Sequence, residues 1–212
     1  MKIIFVVIFV IALFSQVPAQ FKYGIEVGFN SSNVKGDDSR KISGTSGIVT
    51  GINEQYELLD FLSIGSGLYF SQKGVTRSLF NTVRGIENYN YIEIPFNVFF
   101  ILPIPQSGKT SVFGGAYIAR LLSASVTPNN EGQSSAINID DMMRVSDYGF
   151  NFGIRQGFNL SSGLLNLGIK YSLGLASVDK SYSVIKYGES FTSDGSKKLN
   201  NSVIAFTVGY TF

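Results

Sequence analysis

The sequence predicts an all-β fold: an eight-stranded antiparallel up-and-down transmembrane β-barrel. Three observations predict it. The first is an alternation with a period of two over residues 147–175. Tyr148, Phe150, Phe152, Ile154, Phe158 and Leu160 form one set, and Asp147, Gly149, Asn151, Gly153, Arg155, Gly157 and Asn159 the other. After a Ser-Ser-Gly turn, Leu165, Leu167, Ile169, Tyr171, Leu173 and Leu175 alternate with Asn166, Gly168, Lys170, Ser172 and Gly174. A period of two over this length means two strands and a tight turn. The second is the chemistry of the two faces. One is aliphatic and aromatic; the other is glycine and amide with isolated charges, not the Lys- and Glu-rich face that a soluble sheet turns to water. That pattern fits lipid outside and a narrow lumen inside. The third is a regular exchange of long and short connections along the chain, the asymmetry of an outer-membrane barrel.

Composition agrees. Charged residues make up 15 % of the 212, against about a quarter in an average soluble domain. Glycine (23) and phenylalanine (18) are both abundant, as expected for many strands and turns with a greasy exterior. The net charge of +2 gives no reason to expect nucleic acid. There is no cysteine, which excludes disulfides, thiolate metal sites and a lipoprotein anchor. There is no histidine, which removes the commonest general base and metal ligand.

The elements follow in order. Lys2, the apolar run 3–14 and the small residues Val17 and Ala19 form a secretory signal peptide over residues 1–19, with a cut after Gln20 as the alternative. The barrel domain is then 20–212. The first strand, 21–30, sets Phe21, Tyr23, Ile25, Val27 and Phe29 against Lys22, Gly24, Glu26, Gly28 and Asn30. A polar loop, 31–41, leads to the second, 44–56, whose pattern is weakest. There Glu54 falls on the apolar side, which calls for a membrane edge or a bulge. The short connection 57–60 precedes the third strand, with Leu62, Ile64, Leu68 and Phe70 on one face and Lys73 on the other. After a polar segment, 74–88, the fourth strand, 89–102, opposes Ile92, Ile94, Phe96, Val98 and Phe100 to Glu93, Pro95 and Asn97; Pro95 lacks a ladder donor, so a local break is expected. The turn 103–110 precedes the fifth strand, 111–123, with Arg120 on the inner face. A long polar stretch, 124–146, leads to the hairpin of strands six and seven. Another, 176–200, leads to the eighth strand, 201–212. With the N-terminus in the periplasm, every short connection falls there and every long loop outside.

Eight strands leave an interior that side chains fill. The parity assigns Lys22, Glu26, Lys73, Glu93, Arg120, Asp147, Arg155 and Lys170 to that lumen or its rims. An ion or proton path is one reading; a polar plug that fixes strand register is the favoured one. No catalytic residue, cofactor or metal is expected. The acidic pairs Asp37-Asp38 and Asp140-Asp141 supply too few oxygens for calcium.

Ser71-Gln72-Lys73-Gly74, Tyr91-Ile92-Glu93-Ile94-Pro95, Asp147-Tyr148-Gly149 and Tyr171-Ser172-Leu173-Gly174-Leu175 look like landmarks of the PorT-like outer-membrane β-barrel proteins of Bacteroidota. Their order over residues 21–212 carries the resemblance. It implies an outer-membrane barrel, and one class of such proteins serves a secretion and gliding apparatus. In plan the chain is also similar to the small OmpA/OmpX-type barrels of the porin family. Val208, Tyr210 and Phe212 resemble the C-terminal signal read by the barrel-insertion machinery, although Thr207 stands where that signal usually has glycine.

Three functions are weighed. The first is a non-enzymatic membrane barrel, with outer-membrane lipid, the insertion machinery and an extracellular loop partner as its contacts. The second is an embedded lipase, protease or acyltransferase, which the missing histidine opposes. The third is a secreted lipocalin-like carrier, which needs the opposite parity, with aromatics inside and charges outside.

Overall fold

The computed structural model describes residues 21–36, 42–78, 84–104, 108–128, 135–179, 182–186, 189–193 and 198–212. Residues 1–20, where the signal peptide is expected, and the pair Asp37-Asp38 lie outside them. The strands are β1 (Phe21–Gly36), β2 (Ile42–Leu59), β3 (Leu62–Ser78), β4 (Arg84–Ile101), β5 (Lys109–Pro128), β6 (Ile137–Asn138), β7 (Ser146–Leu160), β8 (Gly163–Ser177), β9 (Tyr182–Lys186), β10 (Glu189–Ser193) and β11 (Leu199–Thr211). Eight of them close a barrel in the order β1-β2-β3-β4-β5-β7-β8-β11, every neighbour antiparallel. Closure runs from Gly24↔Thr211 to Gly36↔Leu199, and the Phe212 N–H donates to the Tyr23 carbonyl at 2.8 Å.

The alternation decides which way each side chain points. Phe29, Ile52, Leu68, Phe96, Ile118, Phe152, Ile169 and Phe206 are all exposed on the outer wall. Along β3 the apolar outer set runs from Leu62 to Phe70, and along β4 from Ile92 to Phe100. Each covers about the 9–11 residues that a tilted strand needs to cross a bilayer. This parity is the reverse of a soluble carrier's.

The strands are longer than expected. β1 to β5 hold 16 to 20 residues and continue past the apolar band on the side of the long connections. There the outer wall turns polar, with Gln72, Asn90 and Ser123 linked across β3, β4 and β5. β7 and β8 stop soon after the band. The polar stretch 124–146 holds the end of β5, the short β6 beside it and a 3-10 turn over Asp140–Met142. β9 and β10 pair as a hairpin within the stretch 176–200.

Two local expectations gain detail. The β3–β4 ladder skips the two positions opposite Pro95 and Ile94 but resumes at Tyr69↔Glu93 in the same register, so the break involves no bulge there. β2 has no register shift between Val49 and Glu57, so Glu54 stays on the outer wall, beside Phe21 and Tyr56 near the short-turn end. Inward glycines make space for large lumen side chains. A Cβ on Gly51 would lie 2.6 Å from the Tyr69 ring, and one on Gly67 2.7 Å from it. Gly108, which closes the β4–β5 turn, has φ +76°, a backbone that only glycine adopts freely.

Candidate functional site: the charged lumen and its cap

The alternation that turns aromatics outward brings the isolated charges together inside, in tiers. At the short-turn mouth, Lys22 pairs with Glu57 at 2.5 Å and Lys109 with the same carboxylate at 3.2 Å. Above them, Arg155 pairs with Glu26 at 3.3 Å, its guanidinium 4.8 Å from the Phe99 ring centre and 5.9 Å from that of Phe113.

The central tier is built around Lys73, which is 1 % exposed. Its ammonium lies 3.1 Å from Glu93 and 3.2 Å from Asp147, between the rings of Tyr91 (4.9 Å) and Tyr117 (4.8 Å). Lys170 reaches the other Glu93 oxygen at 3.2 Å. Tyr117 and Asn201 donate to Asp147 at 3.1 and 2.9 Å. A buried charge is costly unless it is paired and hydrogen-bonded; here each charge has an opposite partner within ion-pair distance.

The upper tier lies beyond the apolar band. Arg77 sits 3.3 Å from Glu87 and 3.1 Å from Asp179, and the Tyr89 hydroxyl donates to Glu87. Burial pushes the Glu87 carboxyl above its ordinary range; Arg77 and the Tyr89 hydrogen bond pull it down but do not cancel the effect. An apolar cap closes this end. Ile139, Met143, Val178 and Leu199 pack on Val34, Val75, Ala124 and Val126. Asp140 holds the cap by accepting from the backbone N–H of Ala124 and from Asn138. Its role in the cap is therefore a backbone anchor, and no cluster that could hold a metal occurs among the described residues.

Seven of the eight lumen residues proposed from parity enter this network: Lys22, Glu26, Lys73, Glu93, Asp147, Arg155 and Lys170. Arg120 does not. It is exposed on the outer wall between Ile118 and Leu122, while Phe113, Tyr117, Ala119 and Leu121 point inward. Strict alternation puts every even position of this stretch outside, and a long arginine at the edge of the band reaches water from there.

Sequence reasoning missed Glu57, Arg77, Glu87, Lys109 and Asp179. The first four continue the inward parity of their strands, so carrying the count past the expected strand ends finds them. Asp179 lies beyond β8 and has no such signal.

The ion pairs of the described residues join six cations (Lys22, Lys73, Arg77, Lys109, Arg155, Lys170) to six carboxylates (Glu26, Glu57, Glu87, Glu93, Asp147, Asp179). The lumen network is neutral. Two cavities within it measure about 20 and 30 Å³, room for about one water each. At the end of β11, Val208 and Phe212 point outward, and the rings of Tyr210 and Phe212 meet edge to face at 5.1 Å.

Comparison with known proteins agrees with this architecture. The outer membrane protein OprG of Pseudomonas aeruginosa is similar in structure, with a TM-score of 0.50, 14% identity, and 90% of this chain and 95% of that chain covered. Ail, the attachment invasion locus protein of Yersinia pestis, gives a TM-score of 0.46 at 16% identity, covering 91% of this chain and 99% of Ail. Neisserial surface protein A gives 0.47 at 9% identity, covering 92% and 98%. Among curated proteins no relative matches. The family model described as outer membrane protein beta-barrel domain matches residues 14–180. With that match over most of its length, on a closed eight-stranded barrel with an apolar outer wall, the chain belongs to the outer membrane protein beta-barrel domain family and resides in the outer membrane.

Proposed function

We propose that the protein is a non-enzymatic outer-membrane scaffold. Its lumen is a structural plug, and its extracellular collar and loops carry recognition of an external partner. The observation behind this reading is the neutral, ion-paired lumen beneath an apolar cap. An ion path needs a continuous wet passage through the lumen. Here the cations and carboxylates of the network balance, and the cavities among them hold about one water each. The chain has no histidine to serve a hydrolytic centre.

The narrower assignment to the PorT-like barrels of Bacteroidota rests on the four sequence landmarks. Export through a signal peptide at residues 1–19, and recognition of Val208, Tyr210 and Phe212 by the insertion machinery, complete the proposal. The test is electrical. Purified protein that migrates faster on a gel before boiling than after is incorporated into planar bilayers. No stepwise conductance is expected. Reproducible steps from folded protein would overturn the plug.

A further inference from the structure

We infer that the outer wall holds a phosphate-bearing lipid of the outer leaflet in a groove at the extracellular edge of the apolar band. The inference rests on the outer-membrane location and not on whether the lumen conducts.

The groove, about 620 Å³, opens where β7, β8 and β11 meet. It exists because two pairings falter at one corner. The β7–β8 ladder stops at Gly149↔Gly174 and resumes at the single bridge Met143↔Asp179, with one more residue on the first segment than on the second. The β8–β11 register shifts between Asn200 and Ser202.

Its lower part is Val145, Tyr148 and Leu175, all exposed and continuous with the lipid-facing band. Its upper part carries Arg144 and Lys198. Arg120 stands on the adjacent strand in register with Ser146 of the groove wall, which gives its outward placement a use. Two nearby carboxylates are engaged elsewhere, Asp147 with Lys73 and Asp179 with Arg77, whereas Asp141, exposed three residues before Arg144, belongs to no ion pair among the described residues. Neither Arg120 nor Arg144 belongs to an ion pair among the described residues, although Arg144 Nε donates to the Asp179 backbone carbonyl at 3.3 Å.

Three cations above an apolar floor at a membrane edge match a ligand with an anionic head and acyl chains. A free anion leaves the floor bare, and an acidic peptide has no reason to enter the bilayer edge. An aromatic at this level, here Tyr148, fits the interfacial belt of such barrels.

The test uses the full folded chain in nanodiscs of neutral lipid doped with diphosphoryl lipid A or with its dephosphorylated form. The lipid that survives detergent extraction is counted by native mass spectrometry. Wild type is expected to keep the diphosphoryl form and lose the other. Each of Arg120→Gln, Arg144→Gln and Lys198→Gln should lower retention roughly five-fold, the effect expected of one cation near an anionic surface. Folding of each variant is checked by its heat-dependent gel migration, and the single variants carry the test if the triple variant does not fold. Equal retention of the two lipids, or unchanged retention in the folded variants, overturns the inference. So does displacement of the lipid by millimolar inorganic phosphate, which would make the site one for free anions.

Discussion

Lys73 concentrates the energetics of the interior in one side chain. Replacing it by methionine leaves Asp147 buried without its cation and Glu93 with Lys170 alone. Lys73→Met should cost about 3–5 kcal/mol in urea unfolding from vesicles, the range for breaking a buried pair. Adding Asp147→Asn removes the orphaned charge while leaving an acceptor for Tyr117 and Asn201. The double variant should recover roughly 0.5–3 kcal/mol of that loss; strictly additive losses would mean that the two groups do not interact. Glycine matters at this scale too. Gly67→Val puts methyl groups into the space of the Tyr69 ring and should cost about 1–3 kcal/mol by overpacking. Part of this chemistry was legible, because inward parity assigned Lys73, Glu93, Asp147 and Lys170, from four different strands, to the lumen or its rims; which of them meet came only from the strand register. Arg120 was misplaced because its charge was given more weight than its position between Ile118 and Leu122.

Elements differ in how plainly they were written. The hairpin of β7 and β8 was readable almost to its ends, since large apolar residues alternate there with glycine and polar ones, and only Gln156 breaks the apolar set between Tyr148 and Leu160. The upper reaches of β1, β3 and β5 read as loops because both faces are small or polar once the wall leaves lipid: Ser31, Asn33 and Lys35 face out, Ser32 and Val34 in. The cap was not legible, because Ile139, Met143, Val178 and Leu199 come from separated segments and meet only in space.

Glu87 beneath the cap predicts a pH response. Its folded value lies above the ordinary 4.5, so folding takes up a proton. That contribution to stability is fully present below about pH 4.5 and is lost as pH rises through the folded value. Hydrogen exchange of residues 137–143 should therefore report easier opening of the cap above pH 4.5 in wild type, with Arg77, Tyr89 and Asp179 still in place. Glu87→Gln should flatten that dependence; an unchanged slope would remove Glu87 as its source.

At the scale of the whole molecule, the two faces of one sheet obey different solvents. A charge placed outward in the middle of the band, Phe206→Arg, should cost about 2–4 kcal/mol, as measured by unfolding from vesicles. The same arginine at Val203, beneath the cap and facing inward, meets a protein interior and should instead disturb packing near Leu199 and Val178, seen as faster exchange there. If both substitutions cost the same and open the same amides, the division of the barrel into a lipid wall and a filled lumen is wrong.

The strands do not end level. β3 continues eight residues beyond Phe70, from Ser71 to Ser78, a rise of roughly 15–20 Å at about 3.3 Å per residue and a tilt near 45°. β7 and β8 leave the band and stop. The barrel strands themselves form a parapet on one flank and a sill on the other, so the wall has a front and a back. If recognition lies on the collar as proposed, a soluble partner is expected to meet the high flank, and one that travels in the plane of the membrane the low flank.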